Sequence, residues 1–149
     1  MNESIQPGFA HERLEVYRQS LEFIRWTETI WSRLPKGFAA TSQLDRARTS
    51  IPLNIAEGNG KSRIADKCKF LDIAHGSVLE CAACLDVLCL EGSIQGAEAR
   101  EGKLILSRLV RLLIGLINSK APDHWCAKED LLIYGNDEEP WNATKAEEE

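Results

Sequence analysis

The chain has 149 residues, 44% apolar and 28% charged, which suits one soluble domain with a tail and leaves little room for a second domain. Its 18 basic and 23 acidic residues give a net charge of -5, which argues against a uniformly basic nucleic-acid binder. The composition excludes collagen, a disulfide miniprotein and a wholly disordered chain.

The N-terminus carries Glu3 and Pro7 and lacks a basic-then-apolar signal. No membrane span is read: the most apolar stretch, residues 104–117, is interrupted by Ser107, Arg108, Arg111 and Gly115. It is also shorter than the ~20 residues that cross a bilayer. A cytoplasmic protein is therefore expected. There the five cysteines are free thiols, and Cys81-x-x-Cys84 reads as core rather than half a zinc site. The sequon Asn142-Ala143-Thr144 has no meaning without secretion.

From the first helix onward the chain reads at helical period. Leu14, Tyr17, Leu21, Ile24 and Trp31 form one stripe, widened by Val16, Phe23 and Ile30, and Pro35-Lys36-Gly37 ends it. A second helix spans about residues 41–57, with Leu44, Ala47, Ile51 and Ile55 on one side. Pro52 lies inside it, as a kink or in the first turn of a restart capped by Ser50. Gly58-Asn59-Gly60 reads as a stop. Ser62 is positioned to cap a third helix running to about residue 90. There Phe70, Ala74, Ser77, Cys81, Cys84 and Leu88 form an a/d seam, with Leu71, Val78 and Leu85 beside it. A fourth helix covers about residues 97–119, after Gly92, Ser93 and Gly96. Ten of its fourteen residues from 104 to 117 are Leu, Ile or Val, and Arg108, Arg111, Gly115 and Asn118 make a narrow polar stripe.

No stretch alternates long enough for a sheet, and no internal repeat is visible. Short connections make successive helices antiparallel, so the expected class is all-α, an up-down-up-down four-helix bundle over residues 1–120. Residues 121–149 carry nine acids and two bases, leaving 16 bases and 14 acids in the bundle. They read as an acidic extension whose apolar part near residues 125–134 docks on the bundle and whose end, from about residue 136, is disordered. The fourth helix has more apolar circumference than a lone bundle requires, which points to a homo-oligomer.

Two blocks carry a resemblance. Ser50-Ile51-Pro52-Leu53-Asn54-Ile55-Ala56-Glu57-Gly58 follows Gln43-Leu44-Asp45-Arg46-Ala47, and Phe70-Leu71-Asp72-Ile73-Ala74-His75-Gly76-Ser77 comes next, with Glu80 beyond and Leu14-Glu15-Val16-Tyr17 before. Over residues 9–119 the chain resembles the four-helix-bundle proteins encoded by intervening sequences in bacterial large-subunit ribosomal RNA genes. That family is similar in fold to the accessory variability proteins of diversity-generating retroelements. The resemblance implies a ring, with a pentamer preferred, and for the retroelement relatives nucleic-acid binding and association with a reverse transcriptase. It brings no catalytic residues and no cofactor. Asp45-Arg46 departs from the two adjacent basic residues that members often carry after Gln-Leu.

The candidate nucleic-acid-binding set is Arg46, Arg48, Lys61, Arg63, Lys67 and Lys69. With Asp45, Glu57 and Asp66 these give residues 43–70 a net charge of +3, a weak phosphate surface that a ring would repeat into a collar. Ser50, Pro52, Asn54, Glu57, Gly58, Gly76 and Ser77 read as structural, with Asn54 and Glu57 fixing the turn to the third helix. Gly76-Ser77, placed mid-helix, implies close approach of a neighbouring helix. Asp72-x-x-His75 imitates part of a bundle metal site, but His11 and His124 complete no motif, so no metal is expected and His75 reads as a surface or interface residue. No nucleophile elbow or phosphate loop appears. The expected role is a non-enzymatic oligomeric scaffold or adaptor that meets RNA, DNA or a nucleic-acid-processing partner. The alternative is a protein-interaction module without nucleic-acid contact.

Overall fold

The computed structural model describes residues 8–123. The docking and disorder expected of residues 125–149 lie outside the described residues. After a 3-10 turn at Ala10–Arg13 come four helices: α1 (Glu15–Trp31), α2 (Ala39–Gly60), α3 (Ile64–Leu90) and α4 (Gly96–Lys120). Each packs on two neighbours, in the cyclic order α1, α2, α3, α4. Cross-helix pairs fix the antiparallel register: Arg48 to Glu28, Ser77 to Ser50, Lys103 to Asp86 and Arg33 to Glu98. The expected all-α bundle is the observed one.

The core is built from the faces that periodicity marks, with one exchange. Leu44, Ala47, Ile51 and Ile55 of α2 are buried, as are Ala74, Ser77, Cys81, Cys84 and Leu88 of α3. On α1 the stripe thought to widen the core face is its centre: Val16, Phe23 and Ile30 are buried with Trp26, whereas Leu21 is exposed. The heptad through Leu14 and Leu21 looked equally apolar, and only the positions of α2 and α4 decide between the two.

Several boundaries and glycines depart from expectation. Pro52 sits within one unbroken helix, and Ser62 does not cap α3, whose N-cap is Arg63 without a side-chain cap bond. The stop lies at Lys61, one residue past the Gly58–Gly60 run, where the backbone turns extended. Gly58 is instead a close-approach residue: a Cβ there would lie 3.0 Å from the Phe70 Cβ. Gly76, expected to admit a neighbouring helix, is exposed, and a Cβ added to it would meet nothing within 4 Å. The close approach of helices occurs at Gly102, where a Cβ would meet the Trp26 ring at 2.6 Å and Leu85 at 2.8 Å. Nothing in the spacing around Gly102 marks it, because its neighbour is 76 positions earlier in the chain.

Apolar surplus also falls elsewhere. On α4, Ile105, Leu112 and Leu116 are half-buried against the core, and Leu104 alone of its large apolar residues is exposed. The exposed surplus is on α3, which shows Ile73, Leu79, Val87 and Leu90. By length and composition it is also α3, rather than residues 104–117, that is long and apolar enough to cross a membrane. In this bundle ten of its 27 residues are buried.

At the far end of α1, Arg33 donates to both carboxylate oxygens of Glu98, which also accepts from the Gln95 backbone N–H at 3.0 Å and closes a capping box on α4. The Arg33 hydrogen bond and then the Gln95 one hold the Glu98 carboxyl down to about 2. A carboxylate lowered by folding stabilises the fold above its unfolded pKa of about 4.3, and that contribution is lost as pH falls toward 2. Acid titration of unfolding should therefore be flatter in Glu98→Gln than in wild type between those values, and identical slopes would remove the pair from the stability account. For packing, Gly102→Ala should lose about 1–3 kcal/mol in urea denaturation through overpacking against Trp26. Gly115→Ala, an exposed position on the same helix, should gain about 0.5–1 kcal/mol.

Candidate nucleic-acid interface

The six candidate bases do not form one patch. Arg46 is exposed on the outer face of α2, where its guanidinium donates to Gln43 at 2.7 Å. About fourteen residues of helix, ~21 Å of rise, separate it from the turn after Gly60. It borders a shallow groove lined by Asp45, Thr49, Ser50, Leu53, Asn54 and Glu57.

Arg48 leaves the set. Its side chain is 12% exposed and lies 3.7 Å over the Trp31 ring. It donates to Thr27 at 2.7 Å and Glu28 at 2.6 Å on α1, and to Asp45 at 2.9 and 3.1 Å on its own helix. With its donors spent and one face against indole, it is a clamp between α1 and α2. The i,i+3 relation to Asp45 was visible in sequence, but Thr27, Glu28 and Trp31 meet it only across the helix pair.

The remaining four gather at the α2–α3 turn. Lys61 pairs with Glu57 at 3.7 Å and lies 5.0 Å over the Phe70 ring. Lys67 donates to the Asn59 backbone carbonyl at 2.9 Å, tying the turn to the first helical turn of α3. Arg63 and Lys69 are exposed, and neither side chain has a hydrogen-bond or ion-pair partner among the described residues. From residue 58 to 71 the only acid is Asp66, against four bases. Helix geometry thus concentrates positive charge at one end of the bundle, with two cations uncommitted.

The structural residues join the two sequence blocks. Asn54 donates its amide to the Ser50 carbonyl at 2.8 Å and to the Ser50 hydroxyl at 2.9 Å, and Ser77 on α3 donates to that hydroxyl at 2.8 Å. Asn54 therefore secures the α2–α3 interface rather than the turn, whereas Glu57 reaches the turn through Lys61. Pro52 is buried, and Gly58 admits Phe70.

His75 is 6% exposed, so of the surface or interface position expected for it the surface one does not hold; α3 rotates it toward the bundle interior. No group of three or more His, Cys, Asp or Glu side chains is placed to hold a metal among the described residues. Burial pushes the Cys68, Cys81 and Cys84 thiols up, opposite to what a metal-binding or nucleophilic thiolate requires. Glu80, free to seek a base across helices, makes no ion pair among the described residues.

A family model described as 23S rRNA-intervening sequence protein matches residues 12–115. The chain belongs to this family. The match spans α1, α2, α3 and most of α4, including Ser50, Asn54, Gly58 and Ser77. The chain is also similar to a crystal structure of a protein with unknown function from the S23 ribosomal protein family of Bacteroides thetaiotaomicron VPI-5482. Identity is 28% and the TM-score 0.62, over 68% of this chain and 97% of that one. No curated protein matches.

The two motif blocks meet in one polar and glycine-mediated helix contact, and membership assigns no reaction to the cations at the turn. If Arg48 is a clamp, Arg48→Met should cost about 1–2 kcal/mol in urea denaturation through its lost hydrogen bonds. Retention on nucleic acid should be unchanged; weaker retention at unchanged stability would restore Arg48 to the phosphate-binding set.

Proposed function

We propose that this intervening-sequence family member is a non-enzymatic homo-oligomeric scaffold or adaptor whose α2–α3 turn meets nucleic acid or a nucleic-acid-processing partner. The observation that carries it is the turn itself: four bases against one acid from residue 58 to 71, with Arg63 and Lys69 exposed and unpaired among the described residues. Such cations attract phosphates and release counterions, and no aromatic side chain is exposed between them to stack a base. Binding of this kind follows backbone charge rather than base identity.

Self-association is supported by α3. Ile73, Gly76, Leu79, Ala83, Val87 and Leu90 are exposed along one face of α3, with Glu80 exposed among them and the half-buried Asp72 and Asp86 beside them. A mid-helix glycine costs about 1 kcal/mol relative to alanine, and nothing among the described residues packs on Gly76 to offset it. A second copy on that strip would bury the apolar surplus and give Gly76 a neighbour. The strip leads along α3 to Lys69 and Arg63; where it meets a different surface of the next copy, as in a ring such as the pentamer implied by resemblance, the basic turns repeat as a collar.

One experiment separates the parts. Light scattering should give a multiple of the chain mass, reduced to one chain in Ile73→Asp/Val87→Asp. Wild type should be retained on a generic double-stranded RNA at about 50 mM salt and released by about 0.2 M, and Lys61→Glu/Arg63→Glu/Lys69→Glu should lose retention while keeping its oligomeric mass. A wild type that stays a single chain ends the ring, and one that ignores RNA and DNA at about 50 mM salt ends the nucleic-acid reading in favour of a protein-interaction module.

A further inference from the structure

The apolar stripe that α1 keeps out of the core has a counterpart on α3. Starting at the N-cap of α1, Leu14, Tyr17, Leu21, Ile24, Glu28 and Trp31 advance by three, four, three, four and three residues. Leu21 is 41% exposed, and Leu14, Tyr17, Ile24 and Trp31 are half-buried. On α3, Ile73, Gly76, Glu80, Ala83, Val87 and Leu90 advance by the same steps, and all six are exposed. Each set is an a/d seam about 25 Å long on the outside of the bundle. The one acid in the α1 seam, Glu28, is already held by Arg48 at 2.6 Å.

The charges beside the two seams differ. No Lys or Arg lies between Lys69 and Arg100, so α3 sets Asp72, Glu80 and Asp86 along its seam with no base among them. Two α3 faces brought together would place acid against acid. The α1 seam instead has Arg18 and Arg25 beside it, one residue past Tyr17 and Ile24, and both are exposed. The Arg18 side chain has no hydrogen bond or ion pair among the described residues, and Arg25 holds Glu22 at 3.3 Å on the surface.

The bundle itself supplies a register. Gly102 of α4 lies between Trp26 and Leu85, and a Cβ there would meet both. These two residues are therefore level, and they are 59 positions apart in the chain. In an up-down-up-down bundle α1 and α3 run parallel, so every α1 residue is level with the α3 residue 59 positions on. A rotation about an axis parallel to the bundle preserves height, as in a closed ring of copies. Copies related in this way bring Leu14 to Ile73, Tyr17 to Gly76, Leu21 to Glu80, Ile24 to Ala83, Glu28 to Val87 and Trp31 to Leu90. The seams coincide position for position. Two large α1 side chains fall on the smallest α3 residues, Gly76 and Ala83. Arg18 and Arg25 fall at the levels of Ser77 and Cys84, between Asp72, Glu80 and Asp86.

We infer that the α1 seam of one copy docks in parallel on the α3 seam of the next, with Tyr17 over Gly76 and Arg18 between Asp72 and Glu80. This rests on the self-association proposed above and names what covers the α3 strip: α1 of another copy rather than a second α3.

The test mixes two blocked chains. Ile73→Asp/Val87→Asp loses the α3 seam and Arg18→Glu/Leu21→Asp loses the α1 seam. All four positions are exposed, so both chains should keep the wild-type circular dichroism spectrum. Each alone should scatter light as one chain. Mixed one to one they should form a pair and grow no further, because a single working contact remains, the α1 seam of the first on the α3 seam of the second. An α1-blocked chain that keeps the wild-type mass, or a mixture that stays at one chain, overturns the pairing and leaves self-association standing. A wild type that is itself one chain overturns both.

A second measurement changes exposed charges only. Arg18→Glu and Glu80→Arg should each raise the concentration for half-assembly by about tenfold, and the chain carrying both should assemble better than either. Effects that simply add overturn the 59-position register.

Discussion

The pairing of α2 with α3 is the constraint from which the rest follows. At Gly58 a side chain would press within 3.2 Å of the Lys67 carbonyl as well as on Phe70, so the helices close to backbone contact at the turn. About two turns earlier, Ser77 donates across to Ser50, which Asn54 also reaches from its own helix. The polar network is specific where the apolar contacts around it are not: it sets which rotation of α3 faces α2. That rotation buries Ala74 and Cys81 and leaves Gly76 and Ile73 outside.

The same rotation sorts the charges. With α2 held against α1 through Arg48 and against α3 through Ser50, only its outer strip remains, and Arg46 is stranded there. Lys61 and Lys67 are partly committed to making the turn itself, through Glu57 and Asn59. Arg63 and Lys69 are what is left over for another molecule. A sequence charge of +3 thus overstates the freely available positive charge, and it spreads over ~21 Å of helix what the fold divides between a clamp, a turn and a surface.

Membership in the intervening-sequence family fits this division, since its match covers the helices that form the contact and ends at residue 115.

Helix number, helix order and most of the buried faces of α2 and α3 were legible in the sequence, because a 3.6-residue period is a local property and short connections leave only antiparallel neighbours. So were the two blocks that tie α2 to α3, though not that Asn54 serves the interface rather than the turn. What the tertiary structure alone decided are the relations between positions far apart in the chain. They include which of two apolar stripes on α1 faces inward, the space that Trp26 demands of Gly102, the burial of His75 and the commitment of Arg48 to Trp31 and Glu28. Each depends on how a neighbouring helix is rotated about its axis, and residue spacing within one helix carries no information about that angle.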